Sequence, residues 1–169
     1  KNILIFFGSS DHTNETYKII DIIKKYNKIN FSLVLSSYNS NLKDLKRKLE
    51  ILENVKIFLD LDIKLFAELI LENDLSIGAG GVNLNEKIFL GLPSLVVETN
   101  DNQRLNIDYL RRKKIVFYLG KSHNLNSNKY LSKFENFIKN RKIFNMLSKN
   151  SFKFYNQYSK KHLANLFDK

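Results

Sequence analysis

A chain of 169 residues with 43% hydrophobic content is of single-domain size and has enough apolar mass for one core. It contains no cysteine, which excludes disulfides and thiolate chemistry, and its three histidines, His12, His123 and His162, are too scattered for a zinc site, so neither a metal nor a cofactor is expected. The net charge of +11 is entirely carboxy-terminal: residues 1–110 hold 13 Lys/Arg against 15 Asp/Glu, whereas residues 111–169 hold 15 against 2. Without any nucleic-acid-binding motif, such a surplus reads as a solvated helical surface or a contact for a partner domain. Nucleic acid is an unfavoured partner, and contact with an anionic membrane surface has no further support. There is neither an apolar run of about 18 residues nor a signal-peptide pattern, so no membrane span or secretion is predicted, and a cytoplasmic bacterial protein is expected. Lys1 stands directly before a strand with no methionine, which suggests a piece of a longer protein.

Six apolar runs, at residues 3–7, 31–35, 55–59, 75–77, 95–97 and 115–119, are short, bounded by polar or glycine residues and mostly continuous rather than alternating. Strands buried on both faces read this way. Helical patterns lie between them. The first is capped by Thr13 or Asn14 and runs through Ile19, Ile20, Ile22 and Ile23, and the second repeats Leu42, Leu45, Leu49 and Leu52 at three- and four-residue spacing. Asp60 and Asp62 end a strand and cap the third, which carries Leu65, Leu69 and Ile70; Ile88 to Leu90 and Leu105 to Leu110 complete the set. This alternation predicts an α/β, Rossmann-like three-layer sandwich of about six parallel strands over residues 1–120, with right-handed crossovers. Residues 121–169 form a helical tail after a loop at 122–128, with one stripe at Tyr130, Leu131, Phe134, Phe137 and Ile138 and another at Phe152, Tyr155, Leu163 and Leu166.

The most informative segment is DLSIGAGGVNLNEKIFLGLPSLVVETNDNQ, residues 74–103. A buried strand leads into the glycine turn of Gly78, Gly80 and Gly81, a short helix carries Glu86, and a second strand ends in an Asn-Asp-Asn-Gln loop. Glycines let the backbone come close to a ligand, and the free N–H groups of a helix start favour an anion. A carboxylate one to two turns into that helix can accept hydrogen bonds from ribose hydroxyls.

GAGG followed by Glu86, then GLPS and the DNQ loop, resembles the nucleotide-binding half of GT-B enzymes. The named family it is most similar to is the UDP-2,4-diacetamido-2,4,6-trideoxy-β-L-altropyranose hydrolases of pseudaminic acid synthesis. The lipid-linked N-acetylglucosaminyltransferases of peptidoglycan synthesis are more distant. ILIFFGSSD at 3–11 and FAELILENDLSIGAGG at 66–81 extend the resemblance over residues 2–120. The chain departs from the pattern after GAGG, where the family places Ser/Thr and this sequence has Val82, Asn83, Leu84 and Asn85.

The resemblance implies a GT-B carboxy-terminal domain with strand order 3-2-1-4-5-6, whose amino-terminal partner domain is missing. Its ligand would be a UDP-sugar. The loop Gly8, Ser9, Ser10 and Asp11 and the turn at Gly80 and Gly81 would face each other across one crevice. Backbone amides around Gly80 to Val82, with Asn83, would hold the diphosphate, and Glu86 the ribose. Asn102 and Gln103 would reach the sugar or distal phosphate, and the uracil would rest near Leu59 to Leu61. The family takes its catalytic histidine from the other half, so the catalytic residues here are unknown; His12, at a helix start, reads as an exposed side chain. A glycosyltransferase using the same half, and a non-catalytic homologue that has lost nucleotide binding, stay open as alternatives.

Overall fold

In the computed structural model the backbone is described for residues 1–167 and the side chains for residues 1–154. Among these residues the elements run β1 (Asn2–Phe6), α1 (Glu15–Lys18), α2 (Ile20–Lys25), β2 (Asn30–Leu35), α3 (Leu42–Leu49), β3 (Val55–Leu59) and α4 (Ile63–Leu71). They continue as β4 (Leu75–Ala79), α5 (Val82–Phe89), β5 (Ser94–Glu98), α6 (Arg104–Arg112), β6 (Val116–Lys121), α7 (Ser127–Ile138) and α8 (Arg141–Phe167). The strands form one sheet in the order β3-β2-β1-β4-β5-β6, and every pair is parallel. The continuous apolar runs are strands because both faces are covered. Side chains alternate between faces with a period of two, so Ile3, Ile5, Leu33, Leu35, Ile77 and Val97 share a core with α2, α3 and α7. On the other face Leu4 and Val34 pack on α4, and Val96 packs on α5 and α6.

Strand order changes direction between β1 and β4, and this junction positions the candidate site. Gly78 of β4 lies opposite Phe6 of β1. A Cβ at Gly78 would stand 2.3 Å from the Phe6 carbonyl oxygen and 2.8 Å from Nζ of Lys87, so only glycine fits. Lys87 is 1% exposed, on the same face of α5 as Leu84 and Ile88, and its ammonium lies 6.0 Å from the Phe6 ring centroid. No carboxylate of the described residues comes within ion-pair distance of it. Burial pulls its pKa down to about 8, against a weaker opposing effect of the Glu86 charge.

Some local expectations are corrected. Neither Thr13 nor Asn14 caps the first helix: Asn14 is left-handed with no side-chain cap bond, and the Asp11 carboxylate accepts instead from the amides of Glu15 (2.9 Å) and Thr16 (3.0 Å). The helix also divides at Ile19 into α1 and α2. The helical pattern from Leu105 to Leu110 is α6, in which Leu105 is exposed and Ile107 and Leu110 face the sheet. Asp62 does cap α4, accepting from the Leu65 amide at 2.8 Å, and Asp60 closes β3. The segment expected as a loop at 122–128 contains a short 3-10 turn, Ser122–Asn124, and the first residues of α7, which is capped by Asn126.

The tail helices pack as an extra layer. Tyr130, Phe134 and Phe137 are buried from α7 against α2. α8 begins beside α7 and crosses to the opposite face, where Asn150 Nδ2 donates to the Lys114 carbonyl (2.9 Å) and Ser151 Oγ to that of Ile115 (3.3 Å). Phe152 is exposed. Tyr155, Leu163 and Leu166 of the expected second stripe lie outside the described side chains. The tail is tied to the core through Glu15, which is fully buried and accepts from Lys18 Nζ (2.6 Å), Ser122 Oγ (2.5 Å) and the Tyr130 hydroxyl. Burial, with the Glu15 charge beside it, holds the Tyr130 phenol well above its usual pKa.

Two stability predictions follow from these buried charges. Glu15→Ala strands the Tyr130 hydroxyl and leaves the Lys18 ammonium with only the Ser122 carbonyl and hydroxyl (3.1 Å each), so urea denaturation should register a loss of about 2–3 kcal/mol; a loss below about 1 kcal/mol would disprove the linking role. Lys87 has the opposite sign. Its folded pKa is about 8 and its unfolded pKa about 10.4, so between these values the unfolded chain holds more protons and stability rises with pH. The full penalty, on the order of 3 kcal/mol, is present below the lower value. Lys87→Met should therefore be more stable than the parent at pH 7 and should lose the gain progressively from about pH 8 to about 10.4, as read from urea midpoints across that range.

Candidate functional site

In a parallel sheet the loops at the carboxyl ends of the strands border a crevice where strand order reverses. Here those loops follow β1 and β4. Gly8 turns the chain out of β1 with φ +98°, a conformation that side-chain-bearing residues rarely adopt, and brings Ser9 to the crevice. Opposite it, Gly81 opens α5 in extended conformation with no side-chain cap; the Leu84 amide donates to the Gly81 carbonyl (3.0 Å), and the amides of Val82 and Asn83 are left for an external acceptor.

Beneath this uncapped end lies a cleft of about 170 Å³. Its walls come from four separate stretches: Ser9 after β1, Ser36 after β2, Asp60 and Leu61 after β3, and Asn83 with Glu86 from α5. Asn83 and Glu86 are one turn apart on the same helix face, and the Asn83 amide donates to the Glu86 carboxylate at 3.2 Å. Asp60 has positive φ and accepts from Ser36 Oγ (2.7 Å) and the Ser37 amide (3.0 Å), bonds that hold its carboxyl below the usual range. The Asp60 carboxylate thus closes the rim between β2 and β3.

The structure brings some of the expected site residues together and takes others away. Ser9, Asn83 and Glu86 line the cleft, Gly8 and Gly81 shape the turns on either side of it, and Val82 points into solvent. Gly80 is corrected: it is buried against Ile107 and its amide donates to the Val97 carbonyl (3.1 Å), so it is not left for a diphosphate. Ser10 is exposed and does not line the cleft. Asp11 is turned inward: it is 5% exposed and engaged with the α1 amides, and burial raises its pKa against those bonds. Gln103 folds back on Thr99, accepting from its amide (3.0 Å) and donating to its hydroxyl (3.1 Å), and so braces the glycine turn from below. Asn102 stands exposed in the 3-10 turn Asp101–Gln103. Leu61 lines the cleft, and Leu59 does not.

Sequence reasoning missed Ser36 and Lys87. Ser36 carries no local signal, since its role depends on Asp60, 24 residues away. Lys87 does carry one: it interrupts the core-facing stripe of Leu84 and Ile88. A second, larger cavity of about 310 Å³ opens at the same end of the sheet between the loops after β1, β5 and β6, with exposed His12 at its edge. Among the described residues no cluster of three His, Cys, Asp or Glu could hold a metal ion, and no helix is long and apolar enough to cross a membrane.

No protein-family model matches the chain. An uncharacterized protein of Methanocaldococcus jannaschii is 36% identical over 117 residues, which cover 66% of this chain and 24% of that protein. UDP-GlcNAc 2-epimerase from Neisseria meningitidis, bound to UDP-GlcNAc, is similar in structure with a TM-score of 0.73 and 20% identity, over 100% of this chain and 45% of that one. The spinosyn rhamnosyltransferase SpnG, complexed with thymidine diphosphate, gives a TM-score of 0.73 at 13% identity, again over 100% and 45% of the two chains. MurG of Acinetobacter baumannii gives 0.68 at 16% identity, over 98% and 48%. The chain thus spans about a quarter of its curated relative (24%) and less than half of these solved structures (45–48%). Identities this low speak for fold alone: the chain has the Rossmann-like fold of a GT-B carboxy-terminal domain, followed by additional helices.

Proposed function

We propose that the chain is the nucleotide-sugar-binding half of a GT-B-type enzyme whose ligand is a UDP-sugar. The observation that carries this reading is the cleft, where Ser9, Asp60, Leu61, Asn83 and Glu86 converge from distant parts of the chain beside the uncapped start of α5. The helix start offers backbone amides and the positive end of a dipole to a diphosphate. Glu86, one turn further in, offers a carboxylate to ribose hydroxyls, and the apolar Leu61 side offers a surface for a base. The ligands in the epimerase and rhamnosyltransferase structures, UDP-GlcNAc and thymidine diphosphate, belong to the same chemical class.

More finely, the reaction we propose is hydrolysis of a UDP-sugar of the pseudaminic acid pathway, a reading that rests on the GAGG, Glu86, GLPS and DNQ resemblance. Hydrolysis needs a base to activate water and a group to stabilise the departing UDP. The crevice supplies the second through the α5 amides, and the base comes from another domain. Support for such a domain lies in the crevice rim. Tyr38, Ile63, Val82 and Leu105 are the four most exposed large apolar side chains among the described residues, and all stand at the carboxyl end of the sheet, in loops or first helical turns. Alone, the chain binds UDP and does not turn over. The rival reading of a module that has lost nucleotide binding gains from the missing Ser/Thr after the glycines, but Glu86 lining the cleft favours binding.

Calorimetric titration of the chain with UDP, with CMP and inorganic phosphate as controls, tests this function: saturable UDP-selective binding is expected, and a folded chain that ignores UDP refutes it. Glu86→Ala should weaken UDP by ~1–3 kcal/mol, the scale of hydrogen bonds to a charged group. Gly81→Ala should fold normally, since the nearest atom to its added Cβ is 3.9 Å away. A drop in its UDP affinity would therefore report contact with the ligand, and unchanged affinity would move the diphosphate away from this turn.

A further inference from the structure

The cleft proposed for the nucleotide is lined by three carboxylates, Asp60, Asp62 and Glu86, and by no lysine, arginine or histidine. A diphosphate entering it meets like charge, and at the cleft surface only the dipole end of α5 supplies a positive field against it. A full cation lies one layer below. Lys87, 1% exposed, sits on the buried face of α5 beside Leu84 and Ile88. Long side chains on a helix lean toward its amino end, and the Lys87 ammonium comes to rest against Gly78, just before the chain turns through Gly80 and Gly81 into α5. The Phe6 ring, which lines the cleft, has its centroid 6.0 Å from this ammonium. Among the described residues Lys87 has no ion-pair partner. The elements around α5 do not neutralise it either. α4 presents Phe66 and Ile70, Glu98 of β5 is taken by Tyr118 and Lys121, and Lys149 and Lys153 of α8 are exposed. Glu86 is the one titratable group whose charge reaches Lys87, and it opposes the effect of burial only weakly.

We infer, given the nucleotide-sugar reading of the cleft, that Lys87 is the counter-charge of the bound diphosphate, acting from beneath the start of α5 without touching the ligand. In its apolar surroundings the ammonium loses little of its field to solvent, so an anion held by the Val82 and Asn83 amides feels it across a gap over which a surface lysine would be screened. Placement below the surface also keeps the charge available. A lysine on the rim would pair with Asp60, Asp62 or Glu86, whereas Lys87 forms a salt bridge with none of them. A methionine would fill the same space without the cost of a buried charge, so the ammonium has to be accounted for by something other than packing. An anionic ligand accounts for it: the diphosphate supplies the counter-charge that the folded chain withholds, and in doing so it holds the proton on Lys87.

Calorimetric titration of the parent chain and Lys87→Met with UDP, from about pH 7 to about pH 10, tests this role. Free Lys87 loses its proton near pH 8, so the parent should bind UDP about tenfold more tightly than Lys87→Met at about pH 7, and the two should agree within about twofold at about pH 10. A second readout needs no variant. A tenfold preference of UDP for the charged form requires the parent to take up about half a proton on binding at about pH 8.5. That uptake is measured as the difference in binding heat between two buffers of unlike ionisation enthalpy, and Lys87→Met should lack it. Equal affinities at about pH 7, a deficit in Lys87→Met that persists undiminished at about pH 10 and so reports shape instead of charge, or binding without proton uptake in the parent each overturns the role of Lys87 and leaves the nucleotide reading standing. Failure of the parent chain to bind UDP overturns both.

Discussion

At the point where the sheet changes direction, β1 and β4 approach without clearance for a side chain. Gly78 faces the Phe6 carbonyl, and the Lys87 ammonium lies 2.8 Å from where a Cβ would stand. This contact seats α5: with Leu84, Lys87 and Ile88 buried, the helix must present Asn83 and Glu86 to the cleft. The crevice therefore depends on a residue that never touches it. Had β4 been held further from β1, the uncapped end of α5 would stand away from Ser9 and the loop after β3, and no common cleft would form.

The tail helices stabilise the other side of the same crevice. α7 is held to α1 through Glu15 and to α2 through the Lys25–Glu135 ion pair at 2.5 Å, an exposed contact of small energetic weight beside the buried network. Because Ser122 bonds Glu15, the chain leaving β6 is anchored to the chain leaving β1. Both segments border the second cavity, so its shape is inherited from a buried carboxylate network lying just behind it. α8 then covers the β6 side of the sheet, crossing from one helical layer to the other, and shields an otherwise open edge strand. Eight of the fifteen Lys and Arg after residue 110 lie in these two helices, whose apolar faces are turned inward at Tyr130, Phe134, Phe137 and Leu147.

Much of the architecture was legible in the sequence, because a doubly covered parallel sheet leaves a strong local trace: short continuous apolar runs between three-and-four-spaced helices. Six strands begin and end within one or two residues of those runs, and the strand order is the one that the GT-B resemblance implied. The glycine turn, the position of Glu86 one turn into its helix and the Asp62 cap were equally local. The errors concern polar side chains with two possible partners. Asp11 in a glycine-serine loop could have faced a ligand or the next helix, and the nearby amides of Glu15 and Thr16 took it. Gln103 in a polar loop could have reached outward, but the backbone of Thr99 needed its oxygen.

What the sequence determined by itself was the fold and the element on which each candidate residue sits, since hydrophobic period, glycine placement and capping act over a few residues. The tertiary structure alone decided which polar atoms are consumed by the protein and which remain open. Tyr130 reaches Glu15 across 115 positions and Tyr118 reaches Glu98 across 20, so no local pattern announces that one carboxylate is fully hydrogen-bonded while one oxygen of the other has only the Lys121 ammonium at 3.4 Å. Hydrogen-bond satisfaction is a property of packed neighbours, and neighbours from distant parts of the chain are known only once the sheet has brought them together.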